Sequence, residues 1–199
     1  MAEIKIFGKW GTEGIKVMDP GLVDYVTLTP RMVPKTGARY AKQKFYKSRI
    51  SIVERLINKL MIPGHLGKKH KLTSYKATGK SNKAYRIVEK TLSIIEQKTR
   101  QNPVKILVEA IVNAAPREEI VTIEYGGARY PKATECSPQR RIDVALRHIT
   151  QGAFQRRFKK KKHAEESLAE EIIAAWQRNS ASHAISKKLE IERQADASR

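Results

Sequence analysis

Cysteine is almost missing from this chain: Cys136 is the only one. A single thiol cannot close an intrachain disulfide, and no multi-cysteine zinc site can be built around it. Long apolar runs are missing as well, and none approaches the roughly 18 residues of a membrane span. The first 20 residues carry Glu3, Glu13 and Asp19 and no continuous apolar stretch, so no secretory leader is expected. Acid is scarcest where base is densest. Between positions 25 and 88, Glu54 stands alone against 16 lysines and arginines.

What is present is positive charge. The 199 residues hold 40 Lys+Arg against 20 Asp+Glu, a formal net charge of +20, with 40% hydrophobic residues. Residues 1–100 contain 22 basic and 7 acidic side chains, and residues 101–199 contain 18 and 13. A fold with that imbalance repels itself, and a polyanionic partner is the natural remedy. The front half is the expected footprint. There Arg39, Tyr40, Lys42, Lys44, Phe45, Tyr46, Lys47 and Arg49 interleave cations with aromatic rings, supplying phosphate contacts and stacking platforms.

The pattern predicts a mainly α protein. About six helices form one domain over 25–199, with a protruding two-stranded hairpin at about 117–136 and an extended, partly β arm over 1–24. Trp10 of the arm is expected to pack on the domain. Ser51 and Glu54 read as a capping box ahead of a helix whose apolar positions are Ile52, Val53, Leu56, Ile57, Leu60 and Met61. Residues 64–81 read as a lysine-rich loop, ordered by a partner or mobile until bound. Its His65 and His70 have no nearby carboxylate or cysteine, so no metal is expected.

Ser81 opens a second helix with Tyr85, Val88, Leu92 and Ile95 inward, and Asn102-Pro103 opens a third with Val104, Leu107, Val108 and Ile111 inward. Ser137-Pro138 starts a helix running to about Lys159, with Ile142, Ala145, Leu146 and Ile149 buried and its arginines outward. The lysines at 159–162 exceed what the negative end of a helix dipole requires, which favours phosphate contact. The next helix crowds Glu165, Glu166, Glu170 and Glu171 onto what reads as an exposed acidic face, and a short helix near 184–193 ends the chain. Between the third and fourth helices, Tyr125, Gly126 and Gly127 turn the hairpin, and Arg129, Tyr130 and Lys132 follow the tip. Such a finger suits a groove or a strand of nucleic acid.

The order of these motifs carries a resemblance. The GGARYP hairpin, CSPQRRIDVALRHITQGA, SLAEEIIAAW and SHAISKKLEIERQA follow one another as in the small-subunit ribosomal protein seven family. The front end, with IKIFGKW and AKQKFYKSRISIVERL, is similar to its archaeal and eukaryotic branch. The resemblance implies a non-catalytic cytoplasmic protein that binds the 3′ major domain of small-subunit rRNA and nucleates assembly of the subunit head. It implies a place near exit-site tRNA and mRNA, beside head and platform neighbours including protein eleven, with no cofactor, metal or membrane.

Carried onto this chain, the rRNA surface would use Lys35, Arg39, Lys42, Lys44, Lys47, Arg49, Lys68, Lys69, Lys71, Lys76 and Lys80 from the front half. From the back half it would use Arg140, Arg141, Arg147, Arg156, Arg157, Lys159, Lys160, Lys161 and Lys162. The hairpin tip facing tRNA and mRNA would be Tyr125, Gly126, Gly127, Arg129, Tyr130 and Lys132. Glu118, Glu119 and Glu124 make that finger less cationic than such a role suggests. Two rival classes are an RNA-modifying enzyme, which would need a cofactor loop or an acid/base cluster, and a basic DNA-compaction protein.

Overall fold

In a computed structural model, which describes residues 4–66 and 71–199, the apolar stripes of the helices meet in one core. Six α-helices follow in chain order: α1 (Ile52–Leu60), α2 (Ser81–Thr99), α3 (Pro103–Ala114), α4 (Pro138–Arg157), α5 (Ala164–Trp176) and α6 (His183–Asp196). Two antiparallel hairpins interrupt them. One is the two-residue pair β1 (His65–Leu66) and β2 (Lys71–Leu72); the other is the long pair β3 (Glu118–Tyr125) and β4 (Ala128–Glu135). Helix α5 packs on α2, α3 and α4, so the core sits around it. Leu92, Ile95, Leu107, Ile111, Ile142, Leu146, Ile149, Leu168 and Ile172 are all fully buried there. Each such side chain stabilises the fold by about 1.5–3 kcal/mol relative to leaving it in water.

The N-terminal segment belongs to the same core. Ile6, Phe7, Trp10 and Leu22 are buried, the Phe7 ring meets Tyr85 edge-on at 4.8 Å, and Trp10 Nε1 donates to Glu96 at 3.0 Å. The expected strands are absent from this segment's described residues. An isolated Ile6–Trp10 bridge and a 3-10 turn at Pro20–Tyr25 stand in their place, because the glycines at 8 and 14 take left-handed backbone angles and break any extended run.

Several helix starts differ from the pattern in how their backbone is satisfied. Asn102 and Ser182 cap through their side chains, accepting from Val104 N and Ile185 N. Ser51 holds the expected N-cap position, yet its hydroxyl meets no hydrogen-bond partner among the described residues. Ile52 N donates instead to Thr27 O at 3.0 Å, and Glu54 turns away to accept from Thr36 N and Oγ1 at 2.9 and 2.6 Å. The capping box is therefore replaced by long-range bonds to the preceding segment. Ser137 likewise caps by position only. Helix α4 stops at Arg157, two residues early, and Lys159 turns the chain at φ +57°. Helix α6 is longer than the pattern predicts.

The predicted 64–81 loop contains the small β1–β2 pair, while Lys68, Lys69 and His70 lie outside the described residues. Gly152 lets α4 approach its neighbours: a Cβ there would stand 2.7 Å from His183 Cβ and 2.9 Å from Glu171 Cδ.

Candidate nucleic-acid interface

The basic front segment is tied to itself, to α1 and to α2 by hydrogen bonds that engage few of its cations. Besides the Thr36–Glu54 bonds, Asn58 donates to the Tyr40 hydroxyl at 3.3 Å, Thr27 Oγ1 to Ser48 O at 2.6 Å, and Lys35 Nζ to Asn82 Oδ1 at 3.1 Å. Short turns at Arg39–Lys42 and Tyr46–Arg49 fold the segment back on itself. The Arg49 guanidinium lies 4.4 Å over the Tyr46 ring, and Lys44 Nζ lies 5.4 Å over Phe45. Arg39, Lys42, Lys44 and Arg49 are exposed, and among the described residues none has a carboxylate partner.

Lys47 differs from its neighbours. It donates to Asp143 of α4, in a cluster where Arg55 Nη2 reaches the same carboxylate at 3.2 Å and Lys59 and Arg147 stand nearby. The Arg55 side chain is 2% exposed, and its Nη1 donates to Tyr25 O at 3.1 Å. Burial pushes the Lys59 ammonium down in pKa, Asp143 opposes this, and Arg147, Lys47 and Arg55 push it further down. Burial raises the Asp143 carboxyl, and the Lys47 hydrogen bond with the surrounding cations more than offsets that, leaving it below the usual carboxylate range. One acid among four cations leaves this seam positive.

At the far end of α4, adjacent arginines part company. Arg156 Nε donates to Glu171 at 2.7 Å, and its guanidinium also reaches Ala181 O. Glu171 is fully buried and accepts from Ser182 Oγ at 2.7 Å and Ala184 N at 3.1 Å. The expectation that it faces solvent is overturned: it ties α4, α5 and α6 together. Arg157 is exposed, as are Lys159, Lys160 and Lys161, and none of the four has a carboxylate partner among the described residues. Lys162 reaches Glu170 at 2.5 Å. Lys76 and Lys80 are exposed across a shared cleft from Arg157 and Lys160. Arg141 is turned inward rather than outward, with 11% of its side chain exposed; it donates to Asp19 at 2.6 Å and to Pro116 O at 3.1 Å.

The long hairpin stands clear of the helices beyond its base. Gly126 and Gly127 take φ +57° and +81°, which the tight turn demands. The register pairs Tyr125 with Ala128, Ile123 with Tyr130 and Val121 with Lys132, so period-2 alternation puts these six on one face. Tyr125 is 81% exposed and Tyr130 58%. The three glutamates of β3 each meet an arginine: Glu118 takes Arg199 at 2.6 Å, Glu119 takes Arg140 at 2.6 Å, and Glu124 takes Arg129 at 3.5 Å. Lys132, expected at the tip, lies opposite Val121 midway along the finger, and it has no carboxylate partner among the described residues.

Nucleophilic chemistry has little to work with. Cys136 is buried just past β4, and burial first, then Glu119, push its thiol up to about 11, so the thiolate is disfavoured at neutral pH. Among the described residues no group of three or more metal-ligating side chains converges.

The residues that sequence reasoning passed over are mostly carboxylates and aromatics. Asp143 was the lone acid in a strongly basic stretch, and that isolation was the available signal; Glu54, equally isolated, reads from the sequence only as a cap, and both anchor cationic or polar groups inside the fold. Tyr75, Phe154 and Phe158 line a cleft that no periodicity marks.

A family profile described as ribosomal protein S7p/S5e matches residues 23–199. The small ribosomal subunit protein uS7 of Nanoarchaeum equitans is 55% identical over 197 residues, 99% of this chain and 100% of that protein. Its namesakes from Archaeoglobus fulgidus and Methanothrix thermoacetophila are each 45% identical, over 99% and 98% of this chain and 96% and 100% of their own lengths.

Proposed function

Because the chain belongs to the ribosomal protein S7p/S5e family, we propose that it is a non-catalytic constituent of the small ribosomal subunit that holds the 3′ major domain of its rRNA and nucleates the head. The observation that carries this reading is the sorting of cations. Buried and half-buried carboxylates are engaged by Lys47, Arg55, Arg141 and Arg156, while Arg39, Lys42, Lys44, Arg49, Arg157 and Lys159–Lys161 stay exposed and unmatched among the described residues. Charges left open on a rigid helical frame suit a folded polyphosphate, whose backbone and splayed bases are read by shape and stacking. The projecting finger, with Tyr125 and Tyr130 near its end and Lys132 on the same face midway along it, supports a place at the exit-site tRNA and mRNA face. Head and platform neighbours, protein eleven among them, complete the partners in this reading.

Binding of this kind releases counterions. With roughly eight phosphates engaged, log affinity should fall against log salt with a slope on the order of −6. Titration of the 3′-domain rRNA in rising salt tests this. Salt-independent binding, or no preference over unrelated RNA, would remove the reading. Duplex DNA that outcompetes the rRNA would favour the DNA-compaction class instead.

A further inference from the structure

A cleft of about 570 Å³ opens between the end of α1, the 73–80 turn, the first half of α2 and the last turn of α4. Its floor is apolar, built by Leu60, Ala84, Ile87, Ala153 and Phe154. Two rings stand exposed at its mouth, Tyr75 at 84% and Phe158 at 49%. The Phe154 and Phe158 rings, one helical turn apart, are 6.4 Å centre to centre. The rim is wholly cationic, with Lys76, Lys80, Lys83, Arg157, Lys159 and Lys160 and no carboxylate. A second depression continues from it, sharing Lys83, Ile87, Arg157 and Ala164 and leading past Arg86 and Lys90; it holds one carboxylate, Glu165, 3.7 Å from Lys90 Nζ, and stays net positive.

Lys159 Nζ lies 5.7 Å from the Phe158 ring centroid, so one face of that exposed ring already carries a cation that an incoming base would displace or share. An apolar floor with exposed aromatic rings and a rim of one charge sign selects a ligand with a flat, weakly polar body and anionic flanks. The volume lies within the about 300–1,000 Å³ of small-ligand sites, room for a base and its ribose but not for a folded partner. The adjoining basic groove gives the strand on either side of that base a path. We propose that this cleft takes one unstacked nucleobase of the bound RNA, stacked on Phe158 and Tyr75, with its flanking phosphates on the lysine and arginine rim. The proposal rests on the RNA-binding reading above and names what that surface recognises.

The test uses the full chain on the 3′-domain rRNA, with base-specific chemical modification read alongside affinity. Wild type should shield one or two bases that are unpaired in the free RNA. Tyr75→Ala with Phe158→Ala should leave thermal unfolding unchanged, because both rings are exposed. It should expose those bases again and weaken binding about 5- to 150-fold at an unaltered salt slope. Phe158→Leu, which keeps apolar bulk, should fall between. Lys80→Gln with Lys160→Gln should do the converse, making the slope shallower by about 1.5 while the bases stay shielded at low salt. A ring-deleted chain that binds as tightly as wild type with no newly reactive base would overturn the cleft alone. Wild type with no preference for this rRNA would overturn the RNA reading and the cleft with it. In assembled subunits, a benzophenone side chain at position 158 should cross-link to RNA, and cross-linking to a neighbouring protein alone would assign the cleft to a peptide and overturn the proposal.

Discussion

Arg156 and Arg157 are consecutive residues of one helix, and they represent two regions of this molecule. Arg156 belongs to a clasp in which α4, α5 and α6 close on the buried Glu171, with the carboxylate satisfied by a guanidinium, a hydroxyl and a backbone amide. Arg157 belongs to a surface where cations line an apolar cleft and, among the described residues, meet no carboxylate there. The same residue type serves cohesion in one place and is held for an external anion in the other. What separates them is the partner that the fold supplies, and the low-dielectric interior makes an unpartnered charge intolerable in the first region but acceptable in the second.

The sharpest way to break this comparison is to remove the carboxylate of the clasp. Glu171→Ala leaves Arg156 half-buried without its anion and deprives Ser182 Oγ and Ala184 N of their acceptor. Stability should fall by about 3–5 kcal/mol in denaturant unfolding. RNA affinity of the molecules that remain folded should stay at the wild-type value. Equal losses in both measurements would mean that the clasp and the open surface are one functional unit.

The helices and the long hairpin were readable because their signals are local and periodic. The stripes on α2, α3 and α4 are buried at the predicted positions except Tyr85, which is only partly buried against the core, and the Gly126–Gly127 turn sits between strands that differ from the expected bounds by one residue at each end. The sorting of cations was not readable, because each pairing crosses a long stretch of chain. Arg141 finds Asp19 at a sequence separation of 122, and Lys47 finds Asp143 at 96. Helical spacing placed Glu171 on an acidic helix but could not reveal that the loop before α6 and the last turn of α4 converge on it. The same applies to Ser51, whose capping signal was correct in position while its hydrogen bond was displaced by Thr27 O. Periodicity fixes which face turns inward; it does not say which long-range groups will compete for a cap or a charge.

A second measurement probes the clasp through acid. His148 of α4 meets His183 of α6 edge-on at 6.1 Å. Burial, followed by the charges of His183 and Arg147, pushes its pKa down to about 4. The folded state therefore holds the ring neutral, and protonation favours the unfolded chain, in which histidine titrates near 6.5. This contribution is complete above about pH 6.5 and is lost as pH falls from there towards 4, amounting to about 2–3 kcal/mol. Unfolding free energies measured at pH 7 and pH 5 should diverge in wild type and draw together in His148→Gln. An unchanged pH slope in that variant would detach His148 from the acid sensitivity.

The open surface is sharpened by a matched pair of substitutions with small structural cost. Lys42 and Lys44 are exposed without carboxylate partners among the described residues, whereas Lys47 beside them is occupied by Asp143 and so makes a poor probe of phosphate contact. Lys42→Glu with Lys44→Glu should make the salt dependence of rRNA binding shallower by about one to two in log–log slope, with little change in unfolding. Glu170→Ala serves as the counterpart. Its Lys162 hydrogen bond holds the carboxyl below the usual range, but both side chains are about one-third exposed, so water and salt screen the pair. The loss of stability should be about 0–1 kcal/mol, and releasing Lys162 adds a cation to the open set rather than removing one. Binding by Glu170→Ala should therefore be equal to wild type or slightly tighter. A clear weakening would show that the acidic face of α5 also contributes to holding the RNA, and the division between cations kept for the fold and cations kept for a partner would have to be redrawn there.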